Sequence, residues 1–142
     1  MNKWQNAYMI TAETFAELST ANKLKVGAII VKDNRIISIG YNGTPSGWDN
    51  ACEVSFPQHD IGFPAEITKP EVIHAEANAI SKLARSVESG LDSDIYITHA
   101  PCMNCSKLIY GSGIKNVYYR EVYRKTNGIE FLNSCNIGVK QL

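Results

Sequence analysis

Charge of neither sign prevails in this sequence. Fourteen lysines and arginines stand against fourteen aspartates and glutamates, a formal net charge of zero. Proteins that bind extended polyanions carry a basic face, so this balance disfavours nucleic acid as a partner while leaving room for a site that holds one small phosphate. Long apolar runs are lacking too. The longest, Val26-Gly-Ala-Ile-Ile-Val31, falls far short of the roughly 20 residues that cross a bilayer, so no membrane partner is expected. No basic opening followed by an apolar stretch marks a secretory signal, and a cytoplasmic location is expected. Cysteine is sparse, at four residues. In a chain that is not secreted, thiols serve metals or redox chemistry more often than disulfides. Internal repeats, low-complexity tracts and linkers are missing as well, which leaves one domain over residues 1–142. A chain of that length buries roughly 68–70% of the surface its unfolded form exposes, enough for one sizeable core.

What is present alternates between helix and strand patterns. Trp4, Tyr8, Thr11, Phe15 and Leu18 recur at three-to-four spacing and predict an amphipathic helix. Val26–Val31 and Arg35–Tyr41, β-branched runs on either side of Lys32-Asp33-Asn34, predict a hairpin. From Asn42 to Glu71 the chain holds four of its five prolines and reads as a long irregular loop. Loops of that length are uncommon and usually functional or disordered, and Trp48, Phe56 and Phe63, which offer this one packing side chains, favour function. Helices are then predicted at His74–Val87, Pro101–Tyr110 and Asn127–Cys135, with strands at Asp94–His99, Ile114–Arg120 and Ile137–Leu142. A hairpin followed by alternating helices and strands implies a mixed sheet with helices packed on it.

His74-Ala75-Glu76 opens one predicted helix and Pro101-Cys102-Met-Asn-Cys105 opens another. Residues three apart share a helix face, so Cys102 and Cys105 present both sulfurs together. Pro101 suits a helix start, where its missing N–H costs nothing, and the unpaired N–H groups there favour thiolate over thiol. His74 adds a third donor suited to zinc. Three protein ligands leave the fourth tetrahedral position for water, the mark of a catalytic zinc, and no further Cys or His lies within either motif. Water held there reaches a pKa of about 7, and Glu76 is the carboxylate that would move protons beside it. Geometry sets one condition. Residues two apart point about 200° apart in an ideal helix, so His74 must precede the regular helix if both it and Glu76 are to face the metal. A thioredoxin-like role for the cysteine pair would need neither His74 nor Glu76. A zinc-stabilised interaction domain would leave Glu76 without a purpose.

His-x-Glu followed by Pro-Cys-x-x-Cys is the signature of zinc-dependent nucleobase deaminases. Two further stretches narrow the likeness: Gly40-Tyr41-Asn42-Gly43-Thr44-Pro45-Ser46-Gly47 and His74-Ala-Glu-Ala-Asn-Ala-Ile80. From Lys25-Val-Gly-Ala28 through Tyr123-Arg124, the chain resembles the dCMP deaminases of the cytidine and deoxycytidylate deaminase family. The resemblance implies an α/β fold, the cytidine-deaminase-like three-layer α/β/α sandwich with a central mixed sheet of about five strands. It implies hydrolytic deamination of dCMP to dUMP and ammonia, a step that supplies thymidylate synthesis. His74, Cys102 and Cys105 would hold one catalytic Zn²⁺, and Glu76 would shuttle protons. By the same likeness Asn42 contacts the sugar, and Tyr123 and Arg124 lie near the substrate phosphate. Gly40, Tyr41, Asn42 and Gly43 would shape a regulatory nucleotide site. Activation by dCTP with Mg²⁺, inhibition by dTTP and a homohexamer are implied as well. Lys25 and Thr44 lie beside the matched motifs as candidate nucleotide contacts, and Arg85, on the helix that follows His74, is the candidate subunit contact.

The chain departs from some relatives of that family. Where they build a second zinc site from extra cysteines and a histidine, this sequence has Thr20-Ala21 and Ala51, leaving Cys52 alone. One zinc is therefore expected. Thr68 stands where some bacterial relatives carry a histidine. His59 reads as loop surface, and His99 belongs to no motif. Other cytosine nucleotides or nucleosides, or adenosine in transfer RNA, are the alternative substrates. The last would call for a basic channel with stacking aromatics, which a neutral chain without a Lys/Arg cluster does not offer. An intact His-x-Glu argues against a nucleotide sensor that no longer turns over.

Overall fold

Strand β1 (Gly27–Lys32) is apolar on both faces because it is an interior strand of the sheet, covered on each side. It pairs antiparallel with β2 (Arg35–Tyr41) on one side and with β5 (Asp94–His99) on the other. The β1–β2 turn places Asp33 and Asn34 at φ 50 and 58°, the backbone of a two-residue hairpin whose twist matches its strands. β5 continues in parallel to β6 (Asn116–Glu121), and β6 to β7 (Gly138–Gln141), giving a five-stranded sheet ordered β2-β1-β5-β6-β7. The structure is a computed structural model that describes residues 1–57 and 64–142. His59 and Phe63 lie outside the described residues, as does the side chain of Phe56.

Alternation along β1 feeds two separate cores. Ala28 and Ile30 face helices α2 (Ala75–Ala84), α3 (Met103–Gly111) and α4 (Asn127–Ser134), with Ala79, Ile97, Ile109 and Leu132 filling that layer. Ile29 and Val31 face the other way, onto Met9 and Ala12 of α1 (Lys3–Ala16) and onto Tyr96. The result is the three-layer α/β/α sandwich with a mixed five-stranded sheet. Among the described residues, no helix is long and apolar enough to cross a membrane.

Two expectations need correction. Helix α1 forms where predicted, capped by a reciprocal pair in which Asn2 accepts from the Gln5 N–H at 2.9 Å and Gln5 accepts from the Asn2 N–H at 3.1 Å. The face it buries, however, is Met9, Ala12 and Ala16, while Trp4 and Leu18 of the predicted stripe remain 52% and 56% exposed. Small residues win that face because α1 lies close on β1: a Cβ on Gly27 would stand 2.0 Å from the Ala12 carbonyl oxygen. The stretch from Asn42 to Glu71 is also not wholly irregular. Glu53–Pro57 (β3) and Pro64–Thr68 (β4) pair as an antiparallel hairpin, Val54 opposite Ile67. Pro57 and Pro64 stand opposite each other at one end of the two strands, the kind of position prolines take in a sheet. Trp48 does not pack inward; it is more than half exposed.

Candidate active site

The parallel strands β5 and β6 end on the same side of the sheet, the usual place for a site in an open α/β sheet. Two helix N-termini meet there. His74 is the cap residue of α2, with extended backbone at φ −67° and ψ 154°. It therefore precedes the regular helix, which meets the geometric condition for His74 and Glu76 to face one point. Gly43 and Ile73 form an isolated antiparallel bridge, with N–H to oxygen distances of 3.1 and 2.8 Å, that holds the approach to His74. Cys102 caps α3, its sulfur accepting from the Cys105 N–H at 3.5 Å. Pro101 sits one residue before that cap, fully buried, and not in the first helical turn as expected.

His74 Nδ1 lies 3.6 Å from Cys102 Sγ and 3.5 Å from Cys105 Sγ. The three donor atoms all lie within 4.8 Å of one another, and among the described residues this is the one such cluster. A hydrogen bond from the Cys105 thiol and another from the imidazole pull Cys102 well below the usual thiol range. Sharing that proton, together with burial, pushes Cys105 above it. The same contact with Cys102 raises His74. One nitrogen and two sulfurs, one of them already disposed to be a thiolate, suit a borderline-soft dication such as zinc. Among the described residues no carboxylate joins the cluster.

Glu76 is almost fully buried beside these ligands, in the first turn of α2. Burial pushes its carboxyl up to about 7, against the opposing pull of its own backbone N–H and of His74. A carboxyl poised there both accepts and returns a proton at neutral pH.

His74, Glu76 and Cys102 line a cleft of about 510 Å³, whose wall also includes Asn42, Tyr123 and Arg124. Tyr123 is partly exposed and Arg124 is exposed, at the mouth. Asn42 is already engaged: its Oδ1 accepts from the Val26 N–H at 2.9 Å, and its Nδ2 donates to the Leu24 carbonyl at 2.8 Å. Lys25 is not part of the wall and stands 3.8 Å from Glu17. Thr44 is not part of it either, since its hydroxyl donates to the Asp49 carbonyl. Gly40 backs onto α2, where a Cβ would stand 2.3 Å from the Ala75 oxygen. Tyr41 accepts from Asn78 through its carbonyl. Arg85 caps the end of α2 and is exposed. Sequence reasoning missed Lys23, Glu53, Glu121 and His99, all in the wall. Of these only His99 carried a signal, its place just ahead of Pro101-Cys102.

The family model described as the cytidine and deoxycytidylate deaminase zinc-binding region matches residues 2–121. The chain belongs to that family. Its fold is similar to that of the dCMP deaminase from cyanophage S-TIM5 in complex with dCMP and dUMP, at a TM-score of 0.89 and 44% identity over 100% of this chain and 99% of that one. Among curated relatives, ComE operon protein 2 of Bacillus subtilis is 36% identical over 121 residues, 85% of this chain and 61% of the relative. The deoxycytidylate deaminase of Enterobacteria phage T4 is 34% identical over 153 residues, 85% of this chain and 77% of the relative. Family membership and the His/Cys/Cys cluster agree on a zinc-binding deaminase.

Proposed function

We propose that this chain catalyses the hydrolysis of dCMP to dUMP and ammonia. The observation that carries this reading is the cluster of His74, Cys102 and Cys105 beside buried Glu76, of which His74, Cys102 and Glu76 line a cleft whose wall also includes Arg124. Likeness to a cyanophage enzyme solved with dCMP and dUMP supports the same substrate. His74, Cys102 and Cys105 would hold zinc, which when bound supplies the Lewis acidity that activates water at neutral pH. Glu76 takes a proton from the water that attacks C4 and delivers it to N3 of the cytosine. It then moves the proton of the new C4 hydroxyl to the amine, so that the C4–N bond breaks, ammonia leaves and the C4 carbonyl forms. The cleft wall orients the ring, and Arg124 meets the 5′-phosphate, which a guanidinium binds bidentately. Tyr123 packs beside the nucleotide, and Asn42 offers the remaining N–H of its amide to the sugar.

Ammonia release from dCMP, deoxycytidine, CMP and dCTP, measured side by side on the zinc-loaded protein, tests this. Turnover of dCMP well above the other three is expected; preference for any of them overturns the substrate assignment.

Regulation belongs to the same proposal. The Gly40–Gly43 segment, the proposed regulatory site, includes Asn42 in the cleft wall and Gly43, which is bridged to Ile73 just before His74, so one backbone stretch could report to both nucleotide sites. Activation by dCTP with Mg²⁺, inhibition by dTTP and a homohexamer with Arg85 near a subunit contact complete the reading. An effector must bind two states with different affinity for this to work. Rate against dCMP should be sigmoidal alone and hyperbolic with dCTP, and sedimentation should report the hexamer. Kinetics indifferent to both triphosphates, or a monomer, would remove this part alone.

A further inference from the structure

His99 closes β5 and forms part of the cleft wall, yet it belongs to neither the metal cluster nor the proton path. Its neighbour Thr98 settles which ring nitrogen carries the proton. The Thr98 hydroxyl, only 5% exposed, accepts from the buried Gly27 N–H at 3.1 Å and lies 2.9 Å from His99 Nδ1. A hydroxyl has one proton to give, and among the described residues Nδ1 is the acceptor within its reach. Were Nδ1 protonated instead, the hydroxyl would receive two donors, and its own proton would be stranded in a dry site. Nδ1 therefore accepts, and the proton of the neutral ring sits on Nε2. Burial lowers the basicity of this imidazole and outweighs the opposing pull of the nearby Glu121 carboxylate, which agrees with a neutral ring.

We infer that His99 is a substrate-binding residue: its Nε2–H, held by Thr98, donates a hydrogen bond to an acceptor oxygen of the nucleotide. Among the described residues no protein acceptor takes that N–H, and His99 lines the cleft beside Glu121, its register partner on β6. The hydrogen-bond chain behind it is continuous. Gly27 binds Thr98, and the adjacent Val26 N–H binds Asn42, so both cleft donors are fixed by one turn of backbone at the start of β1. A neutral ring suits the role because it donates to an oxygen without a second charge near Glu76. Phosphate oxygens and the pyrimidine carbonyl share this acceptor chemistry, and the assay distinguishes them.

This inference rests on the dCMP reading, and its two readouts separate the failure of one from the failure of the other. Long-range ¹H–¹⁵N correlation spectra of the zinc-loaded chain report the His99 tautomer with no substrate present. The neutral Nε2–H form is expected; the Nδ1–H form overturns the assignment. Steady-state kinetics then compare His99→Ala and His99→Gln on dCMP and deoxycytidine. Ala should raise KM by roughly 5–10-fold, the size of one neutral hydrogen bond. Gln, whose side-chain N–H reaches about as far as Nε2, should recover most of it. A loss confined to dCMP places the acceptor on the phosphate, and a loss on both substrates places it on the nucleoside. An unchanged KM in His99→Ala, or a loss that Gln does not recover, overturns the donor role. If the wild-type chain does not turn over dCMP, the dCMP reading fails while the spectrum still decides the tautomer.

Discussion

Glu76 is the side chain whose surroundings depart furthest from what its type prefers. A carboxylate is seldom fully buried without a partner that compensates it. Here burial brings it to about 7 while three soft donors stand beside it. Because it is a proton carrier and no ligand, Glu76→Gln should abolish ammonia release, at least ~10²-fold, while elemental analysis still finds one zinc per chain. Loss of metal together with activity would show that the carboxylate helps hold the ion. Arg124 makes the complementary case at the exposed mouth of the cleft. Arg124→Ala should lower kcat/KM for dCMP by roughly 10–100-fold, equivalent to about 1.5–3 kcal/mol of charge-assisted hydrogen bonding, with little change for deoxycytidine. Equal losses on both substrates would assign Arg124 to the fold or an interface.

Helices α2 and α3 deliver the ligands by their starts, so whatever presses on those starts controls the cluster. Gly128, in the first turn of α4, has no room for a side chain: a Cβ would stand 2.3 Å from the Pro101 oxygen and 2.9 Å from the Cys102 carbonyl carbon. Gly128→Ala must therefore displace the backbone that carries Cys102. A destabilisation of about 1–3 kcal/mol is expected, as for other overpacked sites. A chelator should also strip zinc from this variant faster than from the parent. Unchanged metal retention would mean that α4 moves and the ligand loop does not. Helix α1 tests a different point, since its apolar stripe and its buried face are distinct. Met9→Ala, at a fully buried position, should cost about 2–5 kcal/mol in denaturant unfolding. Trp4→Ser, at a half-exposed one, should stay within about 0.5 kcal/mol.

Seen as one molecule, the ligand set ties together segments far apart in the chain, the entry to α2 and the entry to α3. A dication there links the two helix starts, so its binding energy is in part folding energy. Chelation should lower the thermal midpoint, and added zinc should restore it. Acid should act in the same direction as the chelator, because Cys and His bind metal only when deprotonated and protons compete as pH falls. Equal melting with and without chelator would mean that the sandwich core carries the ligand frame unaided. That core is substantial. The two apolar layers on either side of β1 supply it, and the packed glycines Gly27 and Gly40 bring α1 and α2 close against the hairpin.

Much of this architecture was legible in the residues because local chemistry dictates it. The β-branched runs around Asp33-Asn34 specify a hairpin, and a Cys-x-x-Cys pair behind a proline specifies a helix start. The His74 to Glu76 spacing even predicted that the histidine must stand outside the helix, where it is found as the cap. Failures occurred where the outcome depends on a surface that the segment itself does not contain. Periodicity marked an apolar stripe on α1, but β1 sits so close that only Ala12, Ala16 and the flexible Met9 fit against it. The β3–β4 hairpin went unread because its five-residue strands pair only with each other across prolines that locally signal a break. Lys25 was singled out by its place beside a motif, whereas it is Lys23 that lines the cleft and Lys25 that stands by Glu17. His99 belonged to no motif, and its place just ahead of Pro101-Cys102 was its one signal. Its proton is placed by Thr98 and by Gly27, the latter on a strand far away in sequence. Residue types and their spacing determined which groups could meet a metal; only the packed sheet decided which neighbours face the cleft, because that depends on distances between strands that no single segment encodes.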